Sequence, residues 1–135
     1  MSNLFLDTSY IIALETADDI NHLRTLNHWQ NLIKGTPKLV TTSYIFDEMV
    51  TFFNSRNRHH KAVEVGNRLL RSSLVQFIHV DEVLFFDGWQ LFQQYNDKSY
   101  SLTDCISFVV MTQSNIRTAL SFDNHFIQAG FEKLP

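Results

Sequence analysis

Short apolar runs alternate along this chain with stretches of helical periodicity, and that alternation limits the fold more than any other feature. Leu4-Phe5-Leu6 is the first run, and it stops abruptly at Asp7. Leu39-Val40-Thr41-Thr42, Val75 to Val80 and Thr118 to Phe122 are the later ones. Between them, apolar residues recur at helical spacing: Leu23, Leu26 and Ile33; Ile45, Met49, Phe52 and Phe53; Ala62, Val65, Leu69 and Leu70; Val83, Leu84, Phe86, Leu91, Phe92 and Tyr95; then Cys105 to Met111. Strands that take turns with helices make βαβ units, so the expected class is α/β with a mainly parallel central sheet. Continuous rather than alternating apolar runs suit strands covered on both faces.

The punctuation agrees with this division. Gly35 and Pro37 end the helix before the second strand, and Ser43 is placed to cap the helix after it. Asp81 is placed to cap the helix that follows the third strand. Gly88 sits inside that helix, where glycine is unfavourable. Ser101 with Asp104 three residues later has the form of a capping box. The tail from His125 to Pro135 is expected to add a helical turn and an edge strand.

At 135 residues the chain is expected to form one domain, 1–135, with enough apolar residues (44%) for a core of its own. A single cysteine, Cys105, excludes an internal disulfide framework and suits a reducing compartment such as the cytoplasm. No basic segment followed by an apolar run marks a signal peptide, and no apolar stretch reaches the ~20 residues that span a bilayer. A net charge of −3 gives no global attraction to nucleic acid, so any such binding requires a local basic patch.

Four acids occupy equivalent positions in this scheme. Asp7 ends the first strand and Asp123 the last, while Glu48 and Asp104 lie in the first turns of helices. Strand C-ends and the helix N-ends that follow them share one rim of a parallel sheet, the rim where open α/β folds bind ligands. Like charges this close repel by several kcal/mol at an effective dielectric of about 20, so a fold that keeps them together needs a counter-ion. A hard divalent cation fits, because Mg²⁺ takes one or two carboxylates, keeps waters and leaves room for phosphate oxygens. Such an ion lowers the pKa of bound water and steadies the leaving oxygen of an in-line displacement, so the chemistry implied is phosphodiester hydrolysis. Each acid also has a plainer reading. Asp7, Thr8 or Ser9 caps the first helix, Asp104 completes its capping box, Asp123 starts an Asx-turn, and Asp47 competes with Glu48 for any functional role.

Several stretches resemble the PIN-domain ribonucleases, and among them the VapC-type toxins of toxin–antitoxin pairs. They are Leu6-Asp7-Thr8-Ser9, Asp19-Ile20-Asn21-His22, Thr42 to Glu48, Leu102-Thr103-Asp104, Leu120 to Phe126 and the ending Gly130 to Pro135, in the family's order along the whole chain. The resemblance implies a three-layer α/β/α sandwich and Mg²⁺-dependent cleavage of RNA, with Mn²⁺ as an alternative ion. It also implies that Asp7, Glu48, Asp104 and Asp123 hold the metal and orient the attacking water, and that Thr8 and Ser121 supply supporting hydroxyls. A small antitoxin protein and a homodimer are its implied partners.

For RNA, the densest basic run is Arg56, Arg58, His59, His60 and Lys61, with Arg68 and Arg71 beyond, and a solvated surface segment accounts for it equally well. Tyr10, Phe46 and Phe53 are placed to stack on bases or to fill the core. The histidines lack zinc-site spacing, and none is assigned a role. Two rival readings remain. One is a non-catalytic binding module of the same fold that keeps a metal site. The other is a phosphotransfer domain, disfavoured because Asp7-Thr8-Ser9 lacks a second acid.

Overall fold

The computed structural model describes residues 3–135. Its first half runs β1 (Asn3–Leu6), α1 (Thr8–Glu15), α2 (His22–Leu32), a 3-10 turn (Ile33–Gly35), β2 (Lys38–Thr42), α3 (Ser43–Ser55) and α4 (His59–Arg71). The second half runs β3 (Val75–Ile78), α5 (Glu82–Gln94), α6 (Leu102–Gln113), β4 (Thr118–Leu120), α7 (His125–Gln128) and β5 (Glu132–Leu134). The strands form one sheet in the order β3-β2-β1-β4-β5, and every pairing is parallel.

That order fixes where the helices go. Moving from β1 to β2 to β3, the chain steps one way across the sheet, and right-handed crossovers put α1 to α4 on one face. It then returns past β1 to β4 and β5, which puts α5 to α7 on the other face. The contacts follow this split: α1 packs on α2 and α3, and α3 on α4, while α6 packs on α5 and α7. The result is an α/β/α sandwich. Strand order reverses between β1 and β4, and the crevice beyond their C-terminal ends is the topological switch point of the sheet.

The inner strands carry the core. Phe5, Leu6, Leu39, Val40, Ala119 and Leu120 are buried, joined by Ile45, Met49 and Phe53 from α3 and Ile106 and Met111 from α6. Tyr10 and Phe53 are wholly buried, and half-buried Phe46 meets Phe77 and Gly66, so these aromatics fill the core rather than a base-stacking surface. Gly88 owes its place inside α5 to packing: a Cβ there would lie 2.4 Å from Ile106 Cγ1 of α6. The hairpin of α5 and α6 therefore tolerates no side chain at that crossing.

Some boundaries differ from the expected ones for local reasons. The N-cap of α3 is Thr42, whose Oγ1 accepts the Ile45 N–H at 3.2 Å. Ser43 Oγ instead accepts the Val80 N–H at 2.9 Å, tying α3 to the end of the third strand region. The left-handed residue that ends the helical stretch after α2 is Thr36 (φ 45°) rather than Gly35. Asp81 caps α5, and Ser101 and Asp104 form a full capping box on α6, both as expected. β4 stops at Leu120, two residues early, because Ser121 to Asp123 turn into the crevice.

Candidate metal centre

All four acids line one open cleft of about 330 Å³ at the switch point, together with Thr8, Ser9, Ile12, Ser99, Ser101 and His125. A more enclosed cavity of about 110 Å³, beneath α1 and α4, is mostly apolar and gathers no such acids.

Asp7 follows β1 directly and is almost wholly buried. Its Oδ2 accepts hydrogen bonds from Ser121 Oγ at 2.6 Å and Ser9 Oγ at 2.9 Å. Those hydroxyls belong to a larger web. Ser9 Oγ accepts the Phe122 N–H and Ser121 Oγ the Asp123 N–H, each at 2.9 Å, so the turn after β4 is tied to the start of α1. Burial is the largest influence on the Asp7 carboxyl and pushes its pKa up to about 6; the serine hydrogen bonds oppose that, and the Asp104 charge adds to it. Glu48, in the second turn of α3, accepts from Thr8 Oγ1 at 2.8 Å. Burial raises its pKa as well, with the charge of Asp104 adding to the rise.

Asp104 has two tasks. In the capping box its backbone N–H bonds Ser101 Oγ at 3.0 Å, and its Oδ2 accepts the Ser101 N–H at 3.1 Å. The same oxygen accepts from His125 Nδ1 at 2.8 Å, and Asp123 Oδ1 lies 3.4 Å from that nitrogen. The Asx-turn at Asp123 is formed too, since Oδ1 accepts the His125 N–H at 2.9 Å. The cap readings of Asp104 and Asp123 and their place in the acidic pocket are therefore compatible: local hydrogen bonds hold the carboxylates where the rim gathers them.

His125 is the pocket residue that sequence reasoning passed over. Its ring stands edge-on to Tyr100 with centroids 5.2 Å apart, and Ser99 Oγ lies 3.3 Å from Nε2. Among the described residues, one ligand atom each from Asp104, Asp123 and His125 lie within 4.8 Å of one another, close enough to hold a single ion. Asp7 and Glu48 flank that trio. The available signal was position: His125 follows Asp123 by two, inside a stretch already singled out. Ser9, first read as a cap, proves to be a hub of the same network.

The donor set fits a hard divalent cation, being carboxylate oxygens with one imidazole nitrogen. Among the described residues no Lys or Arg pairs with any of the four acids. A buried carboxyl shifted upward beside other acids, with no Lys or Arg paired to them among the described residues, is compatible with binding of a divalent cation.

The basic run lies elsewhere. Arg56 follows the last turn of α3, about 12 Å along the helix from Glu48. Its guanidinium covers the Phe52 ring at 3.7 Å, and Arg58 sits over Phe53 at 5.6 Å. Lys61 is held by Glu15 and Glu64, each at 3.3 Å. None of the three lines the acidic cleft. Asp19 and His22 serve local structure: Asp19 Oδ1 accepts the Asn21 N–H, and His22 Nδ1 donates to Ala13 O.

Similarity to known proteins matches this arrangement. Residues 4–132 match the PIN domain family. The 23S rRNA-specific endonuclease VapC20 of Mycobacterium tuberculosis, from either of two strains, is 32% identical over 128 residues, 95% of each chain. The crystal structure of Mycobacterium tuberculosis VapC20, a Sarcin-Ricin loop cleaving toxin, superposes with a TM-score of 0.87 at 30% identity over 96% of both chains. Fold, order of motifs and extent of the match agree, and the chain belongs to the PIN-domain family.

Proposed function

We propose that this chain is a metal-dependent endoribonuclease of the VapC toxin kind, with the cleft between β1 and β4 as its active site. The observation that carries this reading is the meeting of Asp7, Glu48, Asp104 and Asp123 in one pocket where, among the described residues, no lysine or arginine pairs with them. Asp7, Asp104, Asp123 and Glu48 hold the ion, Mg²⁺ or Mn²⁺, with His125 as a further donor. When bound, the ion neutralises the cluster, activates water and stabilises the leaving oxygen. The protein's own part is positioning. Ser9 and Ser121 orient Asp7, Thr8 orients Glu48, and Ser101 with His125 fixes Asp104. As hydrogen-bond donors to carboxylate oxygens, these groups favour the ionised forms that a metal needs.

Ribosomal RNA is the first substrate to try, because the curated relative that matches over nearly the whole chain acts on 23S rRNA. A small antitoxin and a second copy of the chain are the expected partners. Val83, Phe86 and Trp89 on α5 are exposed apolar residues that a partner would cover.

The test is direct. Purified protein with RNA should cleave in Mg²⁺ or Mn²⁺ and stop in EDTA. Calorimetric titration should show the metal binding without RNA present. Metal binding without turnover on any RNA would favour the non-catalytic module instead. Light scattering of the protein alone, and co-purification with the product of a neighbouring gene, test the two partners.

A further inference from the structure

An acidic pocket repels the polyanion it is meant to cut, so the RNA must be gripped by cations beside it. The eleven Lys and Arg side chains fall into distinct places. Lys34 and Lys38 precede or begin β2, Arg71 precedes β3 and Arg117 precedes β4, all at the N-terminal edge of the sheet, opposite the acids. Arg56 and Arg58 lie beyond the end of α3, and Lys61 and Arg68 spend their charge on Glu15 and Glu64. That leaves Arg24, Lys98 and Lys133.

Arg24 and Lys133 share a feature. Both touch Phe122, the residue before Asp123. The Arg24 guanidinium stands 5.8 Å from the Phe122 ring centroid, and Lys133 Nζ lies 3.4 Å from the Phe122 carbonyl oxygen. Phe122 is itself fixed, stacked on buried Tyr10 at 6.5 Å. Arg24 Nη2 donates at 2.9 Å to a main-chain oxygen of Pro135, the last residue of the sequence. Both side chains are thus held in place by main-chain oxygens and the Phe122 ring. Among the described residues neither pairs with an Asp or Glu side chain. A guanidinium has five N–H donors and an ammonium three, so each keeps donors to spare. Positioned cations with donors to spare, beside a proposed catalytic pocket, suit phosphate recognition.

We propose that Arg24 and Lys133, set about Phe122, form the phosphate-binding margin along which the RNA strand enters the acidic cleft. This rests on the ribonuclease reading and adds the route of the substrate.

The experiment compares wild type, the R24A/K133A double variant, the R56A/R58A double variant and a charge-matched K34A/K38A control. RNA binding is measured by fluorescence anisotropy on a labelled hairpin in EDTA over a range of salt, and KM for its cleavage is measured in Mg²⁺. Wild type and K34A/K38A should behave alike. R24A/K133A should bind about tenfold more weakly, with the slope of log K against log salt shallower by about 1.4, and KM should rise to match. Calorimetry should find its Mg²⁺ affinity within twofold of wild type, which separates loss of RNA contact from damage to the metal site. If R24A/K133A binds RNA as wild type does, or if R56A/R58A carries the loss instead, the margin is refuted while the ribonuclease reading stands. If wild type neither binds nor cleaves RNA, both fall together.

Discussion

The two ends of α1 treat negative charge in opposite ways. At its C-terminal end, Glu15 is met by Lys61 and Arg68, and Glu64 joins the same two cations. The hydrogen bond and charge of Lys61 hold the Glu64 carboxyl below its usual range. At the N-terminal end, eight residues away, Asp7 and Glu48 share a cleft with Asp104 and Asp123, and among the described residues these acids receive hydroxyls, backbone N–H groups and one histidine ring but no Lys or Arg. There burial drives the Asp7 and Glu48 carboxyls up instead. One end closes its charge balance within the fold; the other leaves a deficit for something outside the polypeptide to fill. An acid's surroundings, more than its presence, separate a structural carboxylate from a functional one.

The sharpest way to break this contrast is at Asp104. Asp104→Asn should cut RNA cleavage by about a hundredfold or more, the equivalent of the few kcal/mol that metal-borne charge stabilisation contributes. Its circular dichroism should stay unchanged, since an asparagine oxygen can still accept the Ser101 N–H. Full cleavage by both this variant and Asp7→Asn would remove the pocket from the chemistry.

Next in size is a stability effect with an unusual sign. The Asp7 carboxyl keeps its proton up to a pH of about 6 in the folded protein, against an ordinary value of 3.8. Below pH 3.8 it is protonated in both states and costs nothing. Between 3.8 and 6 the unfolded chain ionises first, so stability falls as pH rises, and above 6 the whole penalty, roughly 3 kcal/mol, is in force. Metal-free Asp7→Asn should therefore melt higher than wild type at pH 7.5 and level with it near pH 3.5. A wild type that melts higher at pH 7.5 in EDTA contradicts that account. Mg²⁺ should raise the melting temperature of wild type far more than that of the variant, by ligand linkage.

His125→Gln tests the single ring among the acids. Mg²⁺ affinity and cleavage should fall about tenfold to a hundredfold, with part of the rate recovered at higher Mg²⁺. Unchanged titration curves would reduce the histidine to a packing role against Tyr100. The smallest effect belongs to the balanced end. Glu15→Gln should destabilise by less than about 1 kcal/mol, an effect that fades in high salt. Neutralising an acid would then stabilise the protein at one end of α1 and destabilise it at the other.

Much of this was legible in the residues because the sheet is parallel. Leu4-Phe5-Leu6 and Leu39 to Thr42 read as buried strands because both faces are covered, and Asp7 and Asp123, after the first and last apolar runs, mark the rim. Capping signals at Asp81 and Ser101 rest on local hydrogen bonds and survive folding unchanged. Harder to see was anything decided by contacts distant in sequence. Thr42 takes the cap of α3 because Ser43 is engaged by Val80, thirty-seven positions away. His125 looked solitary because its partner Asp104 comes from α6. The crowding of Arg56, Arg58 and Lys61 along the chain gave no hint that Lys61 would be absorbed by Glu15.

The hydrogen bonds that frame the cleft join residues 40 and 114 positions apart, from Thr8 to Glu48 and from Ser121 to Asp7. No segment holds the machinery by itself. A polypeptide halted before Ser121 lacks Asp123, His125 and the hydroxyl that holds Asp7, and so cannot complete the cleft. If the cleft is the active site as proposed, activity waits until the last strands have been translated.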